Sequence, residues 1–235
     1  MALRLIFKTL LIIGIFAGTG TLGHMAYDSP FFKIKKVTMI GNQRLRLEDV
    51  FAGSQVMGKN ILAVDTGIIA RTVERVPVVK RAIVNRQFST QEIVILIEER
   101  QPCAVWQVKN SKYFVDDEGV VFQNIASAPN LPVITDMDGS RIDLGARLDA
   151  GAVQLALRLT ERLPSEMGTR VESFEYLRSG GLVVVGENGQ RARFGDVADF
   201  EFKLAAWKAI LEGTSQAKLE IDHTDLRFGY RPFVR

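Results

Sequence analysis

Hydrophobic and polar positions between residues 32 and 100 follow a pattern typical of a small α/β unit. Apolar residues first alternate with polar ones, then recur with helical spacing in two segments, and alternate again on both sides of a turn at Ser89–Thr90. The predicted elements are, in order, a strand over 33–42, helices over 45–53 and 66–76, and strands over 78–88 and 91–100. The order of this unit is therefore β-α-α-β-β.

The second half of the chain changes to short strands and two longer amphipathic helices. Glycine-containing turns at 117–119, 179–181 and 187–189 separate apolar stretches that have the length of strands. Pro164 and Gly213 are expected to end the two helices. The predicted elements are strands within 103–108, 112–123 and 171–195, helices over 148–164 and 198–213, and at least one strand near the C-terminus. The expected fold class is α+β, with a mostly antiparallel β domain that carries two helices.

The N-terminal region contains an apolar run long enough to cross a bilayer. The 19 residues from Thr9 to Tyr27 carry no full charge, and a helix of that length covers about 28 Å, close to the thickness of the hydrocarbon core. We expect a short cytoplasmic tail at 1–8, a transmembrane helix at 9–27 and a linker at 28–31. The side chains expected to anchor this helix are Leu10, Leu11, Ile12, Ile13, Ile15, Phe16 and Leu22. A cleaved signal peptide stays open, because it shares the basic start and the apolar middle.

Composition narrows the chemistry expected of the chain. The net charge is +3, and the 30 Lys and Arg residues are spread along the sequence instead of clustering as nucleic-acid binding requires. Cys103, His24 and His223 are too few and too distant to form a structural zinc site. Residues 18–23 fit G-x-G-x-x-G, but they lie within the apolar run and not between a strand and a helix. We therefore predict no metal, no cofactor and no nucleic-acid partner.

Two groups of polar residues invite a catalytic interpretation, and both fit structural roles better. Glu98 and Glu99 are neighbours on a predicted strand, where consecutive side chains point to opposite faces of the sheet. His223 and Asp225 are not accompanied by the G-x-S-x-G turn that would present a nucleophile. We therefore expect a protein that acts by binding and not as an enzyme.

Several short motifs follow one another in a distinctive order. The apolar run is followed by FFKIKKVTMIGN, then GKNILAVD, then an E-R-x-P-x-A run at 99–104 and VDDEGVVF at 115–122. Near the C-terminus come RFGD with a later F-x-x-K-L, and finally IDHTDLRF. In this order the motifs resemble the bacterial cell-division family FtsQ/DivIB. The resemblance implies a POTRA-like domain at 32–100 and a β domain with a C-terminal partner-binding strand at 101–235.

The resemblance also implies a function, a location and a partner surface. It implies a non-enzymatic divisome scaffold that recruits FtsB-like and FtsL-like bitopic proteins by β-strand addition and links early and late steps of septum formation. It also implies contacts with other divisome proteins. Such a protein is a single-pass protein of the bacterial inner membrane at the division septum, with its N-terminus cytoplasmic and its bulk periplasmic. The residues expected to bind partners are Asp225, Leu226, Arg227, Phe228 and Tyr230. His223–Thr224 departs from the family's usual ending, so the register of the last strand stays open.

Two other classes of protein stay open from the sequence alone. One is a different POTRA-bearing envelope protein that acts in protein transport or outer-membrane assembly, although the chain shows no internal repeat of the unit. The other is an exported enzyme with a cleaved leader. Both would keep an α+β fold and differ in what the domains do.

Overall fold

The computed structural model describes most of the chain and divides it into two units. The described residues are 11–15, 19, 21, 23, 25, 27, 29–51, 56–127, 130–139, 141–187, 189–217, 223–227 and 233–234. The two units are Met1–Glu99 and Arg100–Arg235. Each unit has its own buried apolar core.

The first unit has the β-α-α-β-β order that the hydrophobic pattern predicts. Its elements are a short 3-10 helix at Pro30–Phe32, β1 Lys36–Ile40, α1 Leu47–Phe51, α2 Thr66–Glu74, β2 Val79–Gln87 and β3 Glu92–Glu99. The sheet order is β1-β3-β2, with β1 parallel and β2 antiparallel to the central β3. Asp65 caps α2, because its side chain accepts hydrogen bonds from the first backbone N–H groups of the helix.

The central strand separates a buried face from an exposed one. Ile93, Ile95 and Ile97 are buried together with residues of α2, because alternate side chains of a strand lie on one face of the sheet. Leu96 and Ile83 are register partners, and both are exposed. The helices of this unit therefore cover one face of its sheet, and the other face is open.

Glu99 is a structural residue at the end of β3. It is 5% exposed, and its carboxylate accepts hydrogen bonds from the backbone nitrogens of Gln43, Arg44 and Leu45 at 2.7, 2.9 and 3.1 Å. Burial opposes ionisation of Glu99, but these N–H donors outweigh it and lower the pKa of the carboxyl. Glu98 is exposed, so the two carboxylates lie on opposite faces, as expected for neighbours on a strand.

The second unit is built on one sheet of nine strands among the described residues. The order of the strands is β12-β11-β10-β9-β8-β7-β4-β5-β6. Its elements are β4 Ala104–Val108, β5 Ser111–Val115, β6 Val121–Ile125, β7 Val133–Asp136, α3 Ala150–Met167, β8 Val171–Leu177, β9 Gly181–Gly186, β10 Arg191–Gly195, α4 Phe200–Ala217, β11 His223–Asp225 and β12 Phe233–Val234. Five neighbouring pairs are antiparallel, while β4–β7, β7–β8 and β10–β11 are parallel. The domain is therefore mixed to a greater degree than the sequence predicts.

The short strand β7 is responsible for most of that difference. It lies between β4 and β8 and is parallel to both. Its four residues, Val133–Asp136, follow a proline-rich stretch and are too few for alternation to be recognised in the sequence. The pairing partners on both sides, which lie far away in the sequence, make this segment a strand.

Both helices of the second unit run past the residues expected to end them. Pro164 lies inside α3, which continues to Met167 and ends at Gly168 in the left-handed conformation. The helix continues because Leu163 and Met167 pack in the core on either side of the proline. Gly213 likewise lies inside α4, which continues to Ala217. Tertiary packing outweighs local propensity at both positions.

An ion pair holds the start of the second unit. Arg100 donates a hydrogen bond from Nη1 to Asp116, whose side chain is 1% exposed. The second oxygen of Asp116 accepts from the backbone nitrogens of Glu118 and Val120 at 3.1 and 2.8 Å. The Arg and Asp of the two central sequence motifs therefore build the turn between β5 and β6.

The anchor expected at the N-terminus is described only in part. Leu11, Ile12, Ile13 and Ile15 have helical backbone and are 53–57% exposed. Leu10, Phe16 and Leu22, which we also expect in the anchor, lie outside the described residues. Among the described residues, no helix combines the length and the apolar character needed to cross a bilayer.

Candidate partner-binding edge

The strand β12 forms one outer edge of the nine-stranded sheet. It pairs with β11 on one side, with Thr224 opposite Val234 and Asp225 opposite Phe233. On the other side, the described residues contain no neighbouring strand. β11 is enclosed, because its other neighbour is the parallel strand β10. Among the described strands the edge is therefore formed by residues 233–234, and the candidate Asp225 lies on the enclosed strand β11.

Enclosure changes the expected position of two candidate residues. Leu226 is 1% exposed and belongs to the apolar core, and its backbone nitrogen donates to the Arg193 carbonyl oxygen at 2.9 Å. Asp225 is 8% exposed. Both residues hold the terminal strands in place and do not present a surface, which differs from the surface position that the sequence suggests.

Asp225 and Arg227 form an ion pair across one intervening residue. Nη2 of Arg227 lies 2.7 Å from one carboxylate oxygen of Asp225, and Nε lies 3.0 Å from the other. Burial opposes ionisation of Asp225, but hydrogen bonds from Arg227 outweigh it and lower the pKa of the carboxyl. The same hydrogen bonds raise the pKa of Arg227. The pair fixes the turn that follows β11, and Arg227 remains partly exposed beside it.

Two glycines shape the sheet where this ion pair rests. Gly195 has φ +75, and a Cβ atom there would lie 2.8 Å from Cγ of Arg227. Gly181 has φ +68, and a Cβ atom there would lie 2.1 Å from the Gly195 carbonyl oxygen. Both positions therefore require glycine, which lets the stem of Arg227 and the backbone of β9 approach β10.

A polar depression lies next to the ion pair. Its volume is about 250 Å³, and its walls include Arg178, Asp196, Lys203 and Arg227. Lys203 is 4% exposed and donates from Nζ to the Asp196 carboxylate at 2.9 Å and to its carbonyl oxygen at 3.1 Å. The hydrogen bond from Lys203 lowers the pKa of Asp196. The RFGD and F-x-x-K-L motifs therefore meet in space, and this pair links β10 to α4.

His223 lies on β11 opposite Arg191. Burial and the nearby positive charge of Arg193 lower its pKa, although Asp225 acts in the opposite sense. The carboxylate of Asp225, two residues further along β11, is engaged with Arg227. The described residues also contain no group of three His, Cys, Asp or Glu side chains placed to hold a metal ion.

One aromatic residue near the terminal strands is part of the core. Trp207 is 1% exposed and contacts Phe194 edge to face at 5.7 Å, so it belongs to the core. Phe228 and Tyr230 lie outside the described residues. At least one strand is expected near the C-terminus, but the two residues of β12, Phe233 and Val234, are too few to show alternation, and their aromatic and β-branched types are a weak local signal.

Two family models match this chain. Residues 104–227 match the C-terminal part of the cell division protein FtsQ/DivIB, and residues 32–100 match the FtsQ-type POTRA domain. Both units of the structure are therefore covered by models of the same family.

Individual relatives agree with these matches. A cell division protein FtsQ of Syntrophotalea carbinolica is 31% identical over 144 residues, which are 60% of this chain and 50% of that protein. One from Chloroflexus aurantiacus is 26% identical over 232 residues, 97% of this chain and 83% of the relative. One from Neisseria meningitidis serogroup B is 24% identical over 213 residues, 86% and 81% of the two chains. The match thus spans half of the first relative and about four fifths of the other two.

Proposed function

This chain belongs to the FtsQ/DivIB family of cell-division proteins, and from that premise we propose that it is a non-enzymatic scaffold of the bacterial divisome. In this role it recruits small bitopic division proteins of the FtsB and FtsL type at the inner membrane of the septum. It links early and late steps of septum formation by binding and forms or breaks no covalent bond.

The observation that supports this proposal best is the outer position of β12. An edge strand leaves a row of backbone N–H and C=O groups without partners, and a strand from another chain can satisfy them. β12 and β11 together continue a sheet whose core includes Leu226 and Phe194. A strand added to β12 would therefore extend a sheet that already has a buried core.

The candidate residues take different parts in this proposal. Asp225 and Leu226 position β11, and through it β12, because both are buried within the sheet. Arg227 is 29% exposed at its side chain and fixes the turn that leads to Phe228 and Tyr230. We assign partner contact to the edge of β12 and to these two aromatic residues.

Proline substitution in β12 tests the edge directly. In an antiparallel ladder, the N–H groups of consecutive residues point to opposite sides, so either Phe233 or Val234 directs its N–H outward. Phe233→Pro and Val234→Pro each remove one donor, and we expect at least one to reduce co-purification of an FtsB-like partner by about tenfold or more. Circular dichroism and thermal unfolding check that the second unit stays folded.

A matched control comes from the opposite edge of the same sheet. Asn124 is an exposed residue of β6, the outer strand at the other end. Asn124→Pro should leave partner capture unchanged. Equal loss of capture for the β6 and β12 variants, or full capture by both β12 variants, would contradict strand addition at β12.

We also propose that residues 9–27 anchor the chain in the membrane as a single helix, with residues 1–8 cytoplasmic and both folded units periplasmic. The exposed aliphatic side chains of Leu11, Ile12 and Ile13 support this role. N-terminal sequencing of the membrane fraction should recover residue 1 or 2, whereas a mature chain starting near residue 28 would indicate a cleaved leader.

A further inference from the structure

A groove in the first unit combines exposed apolar side chains with lysines. Its volume is about 570 Å³, and its walls include Lys33, Lys59 and Ile68. Ile68 is 56% exposed, and Met57 and Leu62, which lie next in the chain to the wall residues Gly58 and Ala63, are 56% and 55% exposed. We call the surface formed by these five residues the groove face. Several large apolar side chains exposed around one depression are characteristic of an interaction surface.

Hydrogen bonds tie the groove face to the end of the apolar N-terminal run. Asn60 is buried in the groove wall and donates from Nδ2 to the Tyr27 carbonyl oxygen at 2.6 Å. Tyr27 itself lines the groove. The backbone nitrogen of Ile34 donates to the Lys59 carbonyl oxygen at 2.9 Å. The last residue of the apolar run therefore lies at the groove and not at the end of a free tether.

Gln91 holds the intervening residues against the same unit. It has φ +55, a left-handed conformation that costs energy for a residue other than glycine. Its side-chain amide donates to the carbonyl oxygens of Pro30 and Phe31 at 2.8 and 2.5 Å, and its own carbonyl accepts from the Lys35 nitrogen at 2.8 Å. These contacts fix the path of the chain between the apolar run and β1.

The charges of the groove favour an anionic ligand. Lys33 and Lys59 are exposed, and among the residues that the structure describes neither ammonium forms an ion pair. Asp65, a carboxylate in the groove wall, already accepts hydrogen bonds from the nitrogens of Gly67 and Ile68 at 2.8 and 3.1 Å. Lysines next to aliphatic side chains suit a bilayer surface, where phosphates lie directly above acyl chains.

We propose that the groove face lies on the bilayer surface, with its two lysines bound to anionic phospholipid headgroups and its three apolar side chains at the level of the upper acyl chains. The inference rests on the proposed anchor, since Tyr27 brings the groove to a bilayer when the apolar run is embedded in one. A bilayer is favoured over a peptide because the groove begins at the residue where that run ends. The first unit is then held in one orientation on the membrane.

Fluorescence quenching by spin-labelled lipid tests the proposal on the full chain. The protein, with Cys103→Ser as background, is reconstituted into vesicles of phosphatidylglycerol and phosphatidylcholine. Single cysteines introduced by Met57→Cys or Ile68→Cys carry the fluorophore, and a headgroup nitroxide is the quencher. We expect labels on the groove face to be quenched at least about twofold more than labels on the open sheet face, because an interfacial surface lies at headgroup depth.

Matched positions come from the opposite face of the same unit. Ile83 and Leu96 are 43% and 38% exposed on the open face of the sheet, away from α2, so Ile83→Cys and Leu96→Cys supply the reference labels. Equal quenching at both faces, while an Ile13→Cys label is quenched by a deep acyl-chain nitroxide, overturns the groove proposal alone. An Ile13→Cys label that lipid does not quench overturns the anchor, and the groove proposal with it.

Charge removal separates headgroup binding from apolar contact. Lys33→Gln combined with Lys59→Gln should lower quenching at the groove face in anionic vesicles and leave it unchanged in vesicles of phosphatidylcholine alone. Arg81→Gln, at an exposed cation on the open sheet face, should have no effect in either. The same loss for both variants would show general charge attraction and contradict a specific headgroup contact.

Discussion

Single residues near the terminal strands act mainly by fixing the backbone. Gly181 and Gly195 allow β9, β10 and the stem of Arg227 to approach more closely than any Cβ atom would permit. Asp225 and Arg227 then hold the turn after β11, and Leu226 between them is buried in the core. These residues affect the edge strand β12 indirectly, because they position β11, with which β12 pairs.

We expect Gly181→Ala to destabilise the second unit by about 2 kcal/mol or more, because it adds a steric clash to an unfavourable φ. The clash is with backbone, at 2.1 Å from the Gly195 carbonyl oxygen, so no side chain can move to relieve it. Chemical denaturation measures the change.

Gly180→Ala is the matched control. A Cβ atom at Gly180 would meet Arg193 at 3.6 Å, an ordinary van der Waals distance. Although Gly180 is buried, it has no left-handed φ and its added Cβ would make only ordinary contacts, so this variant should stay within about 0.5 kcal/mol of the parent. Equal stability of the two variants would show that β9 can move away from β10.

Asp225 should make stability depend on acid pH. Its pKa is lower in the folded chain than in the unfolded one, where it is about 3.9. Its contribution is therefore fully present above about pH 5 and is lost as the pH falls through the folded-state pKa. Asp225→Asn should lower the free energy of unfolding most at neutral pH. The difference in this free energy between the variant and the parent should become smaller as the pH falls from about 5 towards 3.

Urea denaturation at several pH values measures this difference. Arg141→Gln, which removes an exposed partner of Asp143, is the control for surface charge and should show little pH dependence. A constant difference between Asp225→Asn and the parent from pH 7 to about pH 3 would contradict a role for the ionised carboxylate.

At the scale of elements, helices in this protein extend as far as their packing does. α3 continues through Pro164, and α4 through Gly213, because both helices cover the same sheet. β7 and β12 are short strands that neighbours on the sheet define. Local sequence signals therefore mark the approximate ends of helices and strands. Packing against neighbouring elements of the same unit determines where they actually end.

Gly213→Ala should stabilise the protein by roughly 0.5–1 kcal/mol. Gly213 lies within α4, is exposed and has open space where a Cβ atom would be. Alanine in a helix interior is favoured because it loses less conformational entropy on folding. Thermal and urea unfolding measure the gain.

Gly168→Ala supplies the opposite case for the same substitution. Gly168 ends α3 with φ +64, a left-handed position with no nearby atoms. Alanine there should destabilise by about 1 kcal/mol through backbone strain alone. Destabilisation by both variants would indicate that α4 ends at Gly213, as its sequence suggests.

At the scale of the whole molecule, two folded units offer surfaces of different kinds. The first unit carries a groove of apolar and cationic side chains next to the N-terminal run, and in the second unit β12 is the outermost strand among the described residues. Each unit has a core of its own, so the edge can be altered without unfolding the first unit.

Removing residues 232–235 should therefore abolish partner capture and leave the fold of residues 32–99 intact, as hydrogen exchange would show.

The sequence by itself determined much of this protein. The hydrophobic pattern predicts the β-α-α-β-β unit and both long helices, because amphipathic periodicity is a local property of ten or more residues. The order of the motifs indicates the family. Each of these conclusions depends on residues that are neighbours in the chain.

Only the tertiary structure decided which residues are accessible at the end of the chain. Asp225 and Leu226 look like part of an exposed terminal strand in the sequence, but Asp225 pairs with Phe233 on a further strand and Leu226 is buried in the core. Glu99 looks like one half of an acidic pair in the sequence. In the structure it is buried, and its carboxylate accepts hydrogen bonds from the backbone N–H groups of residues 43–45. Pairing between segments that are distant in the sequence decides which residues are buried and which strand lies at the edge of the sheet. Segments this short show no alternation of apolar and polar residues from which that pairing could be predicted.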